Sequence, residues 1–325
     1  MQTSLTRREA VALLGAALVP MPALAAGYPD RPIRFVVALA AGGPADAAAR
    51  AFAPYFAEAI GQSVIVENRT GASSVIGTDA VIRATPDGYT LLFGSSSTFA
   101  VNPAVMKSLR FDVNAQLNLV GLVSYTPHVL VVRSTLPANT LTELVTLAKL
   151  QPGKLSYASS GTGGAIHLAS ELFKRETGTE LIHVPYRGGG PAVLGLLSGD
   201  VDVFFSDLST TIGNIQSRRL RALAMAWPTR SSQLPDTPTF AELGYPGVVS
   251  SSWFGLAAPI ETPADIVDKL HLAMTQTFAN PAYQAGLRKL GNEQFTLDSD
   301  QSKAFIKGEV DKWASVAKSA NIQIE

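Results

Sequence analysis

Hydrophobic and polar positions along the chain form short apolar runs that alternate with longer amphipathic stretches. The run IRFVVALA is continuous and rich in β-branched residues, which is typical of a buried strand. Residues 44–60 begin with proline and are followed by glycine, the residues favoured at the two ends of a helix. SVIVENR and YTLLFGS are two further predicted strands, separated by a helix predicted over residues 78–84. This βαβαβ order predicts a parallel sheet with right-handed crossovers.

The middle of the chain repeats the same alternation. The predicted strands are HVLVVRS, LSYASS, ELIHVPY and VDVFFSDL, and helices are predicted over residues 141–150, over residues 166–176 and in GGGPAVLGLLSG. After LRALAMA the chain enters a proline-rich connection, PTRSSQLPDTPTFAELGYPG. The whole pattern is that of an α/β protein whose sheets are flanked by helices.

Two segments share one plan and suggest how the chain is divided. Residues 129–148 and 254–273 each consist of an apolar strand, a proline-containing turn, a threonine near a helix start and an amphipathic helix. We expect the chain to enter a second domain at the first segment and to return at the second. This predicts lobe I over residues 26–127 plus 251–325, lobe II over residues 128–250, and a hinge near residues 124–129 and 250–254.

The N-terminus has the features of an export signal. Arg7 and Arg8 precede the apolar stretch AVALLGAALVP, and Ala23-Leu24-Ala25 has the small-x-small pattern of a cleavage site. A signal peptide is therefore predicted over residues 1–25, with the arginine pair compatible with twin-arginine export. The chain has no cysteine, which excludes disulfides, thiolate metal sites and a cysteine nucleophile. Together these features predict an unanchored periplasmic protein.

Charge and motif spacing exclude several classes of function. Lys plus Arg and Asp plus Glu both number 26, and no basic run is present, so we expect no nucleic-acid partner. No dinucleotide fingerprint, P-loop or Gly-x-Ser-x-Gly elbow occurs, and no two histidines have metal-binding spacing. We accordingly expect a monomer with no cofactor, metal or catalytic residue. An exported hydrolase using Ser160, His167 or Asp46 is the alternative, but no acid is placed to orient the histidine.

Four loops rich in glycine and hydroxyl groups follow predicted strands. They are AAGGPAD (40–46), GSSSTF (94–99), ASSGTGGAIH (158–167) and PYRGGGPA (185–192). Ligands of open α/β sheets bind beyond the carboxyl ends of strands, where helix N-termini direct N–H groups outward. Glycine lets a ligand approach the backbone, and hydroxyls donate to carboxylates. A single such loop can be a plain strand-to-helix turn, but four loops, two in each predicted lobe, indicate a ligand cleft.

Four side chains near these loops are candidate ligand contacts. Asp46 lies in the first turn of a helix, so it either complements the helix N-terminus or faces the ligand. His167 follows a glycine loop and is expected to reach the cleft. Asp207 ends the strand VDVFFS, and Arg187 is a possible carboxylate partner.

Motifs along nearly the whole chain resemble the Bug family, the solute-binding receptors of tripartite tricarboxylate transporters. They are YPDRPIRFVV, AGGPADAAAR, GQSVIVENRTGA, TPDGYTLLFGSSST, GKLSYASSGTGG, HLASELFK, HVPYRGGGPAVLGLLSGDVD, LRALAM, LPDTPTFAELGYPG and SWFGLAAP. The resemblance implies a two-lobed periplasmic-binding-protein (Venus flytrap) fold, each lobe a mainly parallel sheet flanked by helices. It also implies a receptor rather than an enzyme, which captures a di-, tri- or aromatic carboxylate for a membrane permease. A ligand-dependent partner of a signalling receptor is the alternative.

The residues and the resemblance together give one set of expected ligand-binding positions. These are Ala41, Gly42, Gly43, Asp46, Ser95, Ser96, Ser97, Ser160, Thr162, Gly163, His167, Tyr186, Arg187, Gly188 and Asp207. The sequence departs from the family pattern at two places: Ala41 stands where proline is usual, and Ser206-Asp207 stands where Asp-Asn is frequent. The second departure changes the acid at one wall of the expected cleft.

Overall fold

The computed structural model describes residues 27–324. The predicted signal peptide lies outside these residues. Within them, no helix combines the length and the apolar character needed to cross a membrane.

Ten strands and eleven helices follow one another in the described chain. The strands are β1 Ile33–Val37, β2 Val64–Asn68, β3 Thr90–Ser95, β4 Leu117–Arg133, β5 Ser156–Ser159, β6 Ile182–Pro185, β7 Val203–Asp207, β8 Leu220–Met225, β9 Ser251–Pro259 and β10 Glu293–Gln294. The helices are α1 Pro44–Ile60, α2 Val75–Ile82, α3 Asn102–Val105, α4 Val113–Gln116, α5 Leu141–Leu150, α6 Ala165–Thr177, α7 Gly189–Ser198, α8 Leu208–Gln216, α9 Ala264–Ala279, α10 Pro281–Lys289 and α11 Ser299–Ser319. A π-helical turn, Ser97–Val101, leads into α3.

The strands form a continuous curled sheet in the order β2-β1-β3-β9-β4-β7-β5-β6, and β8 and β10 also pair with β4. Pairing is parallel in β1-β2, β1-β3, β5-β6 and β5-β7, as the βαβ pattern predicts. It is antiparallel where β4 and β9 pair with each other and with their neighbours. The long strand β4 pairs with β9 over residues 117–127 and with β7 and β8 over residues 128–133.

The hydrophobic cores explain why β1 is apolar at every position except the exposed Arg34. Ile33, Phe35 and Val37 pack into a core on one face of the sheet, and Val36 packs into a core on the other face. Successive side chains of a strand point to opposite faces, so the strand is apolar on both faces wherever both are covered. A separate core lies within residues 129–248, in the region predicted as lobe II.

Helix α11 connects the two regions on one side of the molecule. Trp313 of α11 shares a core with Trp253 of β9 and with Leu168 of α6. The indole Nε1 atoms of Trp253 and Trp313 both donate to Glu309 Oε2, at 3.2 and 3.1 Å. The buried carboxylate therefore has hydrogen-bond partners, and a helix predicted for lobe I packs against a helix predicted for lobe II.

Candidate ligand-binding cleft

Two adjoining cavities form a cleft at the carboxyl ends of the parallel strands. The smaller cavity, named the inner cavity, has a volume of about 280 Å³, and the larger one, named the outer cavity, has a volume of about 650 Å³. The two share six lining residues: Leu39, Pro44, Ala45, Ser160, Ile166 and Asp207. The first three follow β1, Ser160 and Ile166 follow β5, and Asp207 is the last residue of β7, so the cleft lies between the two regions of the sheet.

Four helices begin at this cleft without a side-chain cap. They are α1, α6, α7 and α8, with Gly43, Gly164, Gly188 and Asp207 at the capping positions. Helices α2, α3 and α9 also begin without a side-chain cap, whereas α4, α5, α10 and α11 are capped by Asp112, Thr140, Asn280 and Asp298. An uncapped helix start presents backbone N–H donors and partial positive charge to an anion. The cleft is therefore lined by anion-binding groups from both regions.

Neutral donors predominate over charged side chains in the cleft. Ser95, Ser96, Ser97, Thr162, Ser252 and Asn102 line the inner cavity. Within residues 27–324, the lining of the inner cavity contains a single charged side chain, that of Asp207. Lys289 adds a cation to the outer cavity only. An anion in the inner cavity would thus be held by N–H and hydroxyl groups, without an arginine fork.

Asp46 bonds to its own loop. Its Oδ2 accepts from Gly42 N at 2.8 Å and its Oδ1 from Arg50 Nε at 2.9 Å. Burial raises the pKa of Asp46, but the hydrogen bonds from Arg50 and Gly42 outweigh it, so the pKa lies below its usual value. The ionised carboxylate fixes the left-handed turn at Gly42, where φ is +77°. Asp46 does not line either cavity.

His167 is hydrogen-bonded to the loop before α6. Its Nδ1 accepts from Gly163 N at 2.9 Å, so this nitrogen carries no proton. The ring stacks on His183 with 3.9 Å between centroids. Burial and the neighbouring His183 lower the pKa of His167 to about 4. Gly163 lines the inner cavity with φ at +73°, and a Cβ there would overlap Ile324, so only glycine fits the loop.

Asp207 differs from Asp46 because it is a lining residue of both cavities. It lies at the capping position of α8 but makes no capping hydrogen bond. Its Oδ1 is buried and receives no hydrogen bond in the described chain. The nearest cationic candidate, His128 Nε2, is 3.4 Å away. The His128 nitrogens instead contact Ser250 Oγ at 2.7 Å and Ser252 Oγ at 3.1 Å.

Ten of the fifteen expected positions line the cleft: Gly42, Gly43, Ser95, Ser96, Ser97, Ser160, Thr162, Gly163, Gly188 and Asp207. Ala41, Asp46, His167, Tyr186 and Arg187 do not line either cavity. The Tyr186 hydroxyl packs beside Gly195, and Arg187 is exposed. The sequence did not indicate Asn102, Ser252, Lys289 or Ile324, which reach the cleft through tertiary packing.

Comparisons with known proteins agree on one family. The model of the tripartite tricarboxylate transporter family receptor matches residues 48–322. Protein BugT of Bordetella pertussis is 36% identical over 308 residues, which cover 94% of each chain. The structure of the periplasmic binding protein BugD is 35% identical with a TM-score of 0.79, covering 92% of this chain and 100% of that one. An R. palustris protein solved with adipate is 31% identical with a TM-score of 0.82, covering 91% and 99%. These structures confirm the two-lobed fold expected from the sequence.

Proposed function

Because the chain belongs to the tripartite tricarboxylate transporter receptor family, we propose that it holds a small carboxylate in the cleft between its lobes. The family consists of periplasmic solute-binding receptors, so the protein is a receptor and not an enzyme. The receptors of this family work with membrane permeases, and delivery of the captured carboxylate to such a permease is the role proposed for this chain.

The observation that carries the proposal is the set of four uncapped helix starts around one cleft. N–H donors and hydroxyls can bind a carboxylate in the inner cavity, whose lining within residues 27–324 contains no arginine or lysine. The R. palustris neighbour was solved with adipate, a dicarboxylate. We propose a di- or tricarboxylate or an aromatic carboxylate as the class of ligand, with Lys289 available to a second anionic group in the outer cavity.

The ten expected residues that line the cleft are the proposed ligand contacts. Asp46 and His167 are proposed to position two cleft loops without touching the ligand, since each accepts a hydrogen bond from a glycine of its loop. Their role is to keep Gly42 and Gly163 in the left-handed conformation that shapes the site.

Ligand capture is proposed to involve closure of the lobes about β4 and β9. The lobe boundaries at residues 127/128 and 250/251 stay predictions. They are supported by the change of pairing partner along β4, which pairs with β9 up to Pro127 and with β7 from His128. Closure would remove the carboxylate from water and add the contacts of the second lobe. The closed monomer is the form proposed to dock on the permease.

A screen of carboxylates tests the proposed function. We expect at least one mono-, di- or tricarboxylate to raise the melting temperature, because a ligand at a hundredfold excess over its Kd adds about 2.7 kcal/mol to the free energy of unfolding. The same ligand is expected to reduce the radius of gyration measured by X-ray scattering. An unchanged melting temperature and radius across the whole library would contradict the proposal.

A further inference from the structure

A further cavity, with a volume of about 620 Å³, lies outside the ligand cleft. Three arginines line it, Arg69, Arg83 and Arg110, and it is named the arginine pocket. Its other polar lining residues are Asp79 and Ser108. Arg69 directly follows β2, which is parallel to β1, so the pocket lies at the same edge of the sheet as the cleft loop that follows β1.

The positive charges of the arginine pocket are only partly compensated. Arg83 Nε donates to both carboxylate oxygens of Asp79, at 2.9 and 2.8 Å. Asp79 is the one acid in the described lining. Arg69 and Arg110 are exposed, and within residues 27–324 their side chains form neither an ion pair nor a hydrogen bond. Three arginines and one aspartate therefore leave two uncompensated positive charges.

The chemistry of these groups suits a phosphate dianion. A guanidinium group is always charged, and its planar fork of N–H donors matches the oxygens of a phosphate. Within residues 27–324, the terminal nitrogens of Arg83 have no partner, and Ser108 adds a hydroxyl donor. A dianion would neutralise the two remaining charges, and its oxygens can accept from several sides at once.

Two segments of the chain line both the arginine pocket and the inner cavity. The first lines the pocket at Arg69 and Ile76 and the inner cavity at Ser73. The second lines the inner cavity at Asn102 and the pocket at Arg110. Asn102 Nδ2 donates to Ser73 O at 2.6 Å, which joins the two segments. A phosphate that binds Arg69 and Arg110 would join them at a second point.

The first segment has a strained backbone between the two cavities. Ala72, Ser73 and Ser74 have φ at +45°, +52° and +79°, in the left-handed region that residues other than glycine rarely adopt. Such strain persists only where the surrounding structure holds it. Asn102 Nδ2 also donates to the buried Ser74 Oγ, at 3.1 Å. A further contact at Arg69 would therefore stabilise the arrangement that lines the inner cavity.

We propose that the arginine pocket is an effector site for inorganic phosphate, and that a bound phosphate tightens carboxylate binding in the cleft. The site itself is independent of the function proposed above, whereas the coupling rests on it. Phosphate removes the repulsion among the arginines and holds the two segments in the arrangement that shapes the inner cavity. Coupling between two sites is reciprocal, so the carboxylate tightens phosphate binding by the same factor.

Titration of ¹⁵N-labelled protein with sodium phosphate tests the site. The titration is run at about pH 8, where phosphate is mainly a dianion, and at constant ionic strength, because salt screens exposed charges. We expect saturable shifts of the Ile76 and Arg110 amides in the wild type. The same shifts are expected in Ser160→Phe, since Ser160 lines the cleft and not the arginine pocket. Absence of saturable shifts at these amides would overturn the inference.

Substitution of the two unpaired arginines identifies the residues that bind. Arg69→Gln and Arg110→Gln are each expected to raise the Kd of phosphate at least about tenfold, the size typical of a hydrogen bond to a charged group. The matched control is Arg219→Gln, because Arg219 is an exposed arginine that lines none of the three cavities. An unchanged Kd in both pocket variants would overturn the inference. Equally tight binding of succinate to Ser160→Phe at these amides would also overturn it.

Calorimetry with and without saturating phosphate tests the coupling. We expect the Kd of the tightest carboxylate from the screen to fall about fivefold in the wild type, the lower end of typical coupling, and to stay constant in Arg110→Gln. An unchanged or raised Kd in the wild type would overturn the coupling. Failure of every carboxylate to bind would contradict the proposed function and the coupling with it, while the phosphate titration would still decide the site.

Discussion

Replacement of Ser160 by phenylalanine is expected to abolish carboxylate binding. Ser160 lines both cavities and connects them, so a phenyl ring there occupies the space that a ligand needs. The serine side chain makes no hydrogen bond within residues 27–324, and the carbonyl of Ser160 that accepts from Gly188 N is retained. We expect Ser160→Phe to fold normally. At a ligand concentration a hundred times the wild-type Kd, the variant should lose the whole stabilisation of about 2.7 kcal/mol.

Thermal unfolding of both proteins with and without ligand measures this effect. Ser232→Phe is the matched control, because it adds the same ring at an exposed serine outside both cavities. The control should keep the ligand-dependent rise in melting temperature. If the ligand raised the melting temperature of Ser160→Phe as much as that of the wild type, the ligand would bind elsewhere.

Acid is expected to weaken the folded protein through His167. The pKa of His167 is lowered from 6.5 to about 4 by burial and by His183. Between these two pH values the unfolded chain binds a proton that the folded chain does not bind, so the free energy of unfolding falls as the pH falls. At 1.36 kcal/mol per pKa unit the loss is at most roughly 3 kcal/mol and is complete near pH 4. Protonation would also remove the acceptor of Gly163 N, so the cleft loop should loosen.

The variant His167→Asn isolates this contribution. Its side-chain oxygen can accept from Gly163 N but does not titrate. Denaturant unfolding between pH 7 and 4.5 should give a shallower loss of stability in His167→Asn than in the wild type. His271→Asn is the control, since His271 lies on α9 and bonds Val120 O away from the cleft. An equal loss of unfolding free energy per pH unit in the wild type and in His167→Asn would contradict the assignment of this pH dependence to His167.

Local signals in the sequence were sufficient for the bounds of helices α1 and α5, whereas the helix predicted over residues 78–84 spans Val75–Ile82. Helix α1 has the predicted bounds, Pro44–Ile60, because proline suits its first turn and Gly61 adopts the left-handed conformation with φ at +76° that ends it. Helix α5 also has its predicted bounds. The glycine and hydroxyl loops line the cleft because the carboxyl ends of parallel strands meet at one edge of a sheet.

Features that depend on tertiary packing were not predictable in the same way. Strand β4 begins at Leu117, whereas the sequence predicted a strand only from His128, because Pro127 interrupts the pattern. His128 lies opposite Asp207 because of the antiparallel register between β4 and β7, which the sequence does not reveal. Ile324 reaches the cleft only because the end of the chain pairs with Met106. The sequence left two interpretations of Asp46, and only the folded loop brings Gly42 N onto its carboxylate.

Backbone amide chemical shifts test the central claim most directly. A carboxylate is proposed to bind at the uncapped helix starts of both lobes. Titration of ¹⁵N-labelled protein with the tightest carboxylate from the screen should give its largest shifts at first-turn amides of α1, α6 and α7, including Ala45, Ile166 and Gly190. Unchanged shifts at these amides, with the changes confined to another part of the surface, would contradict the account.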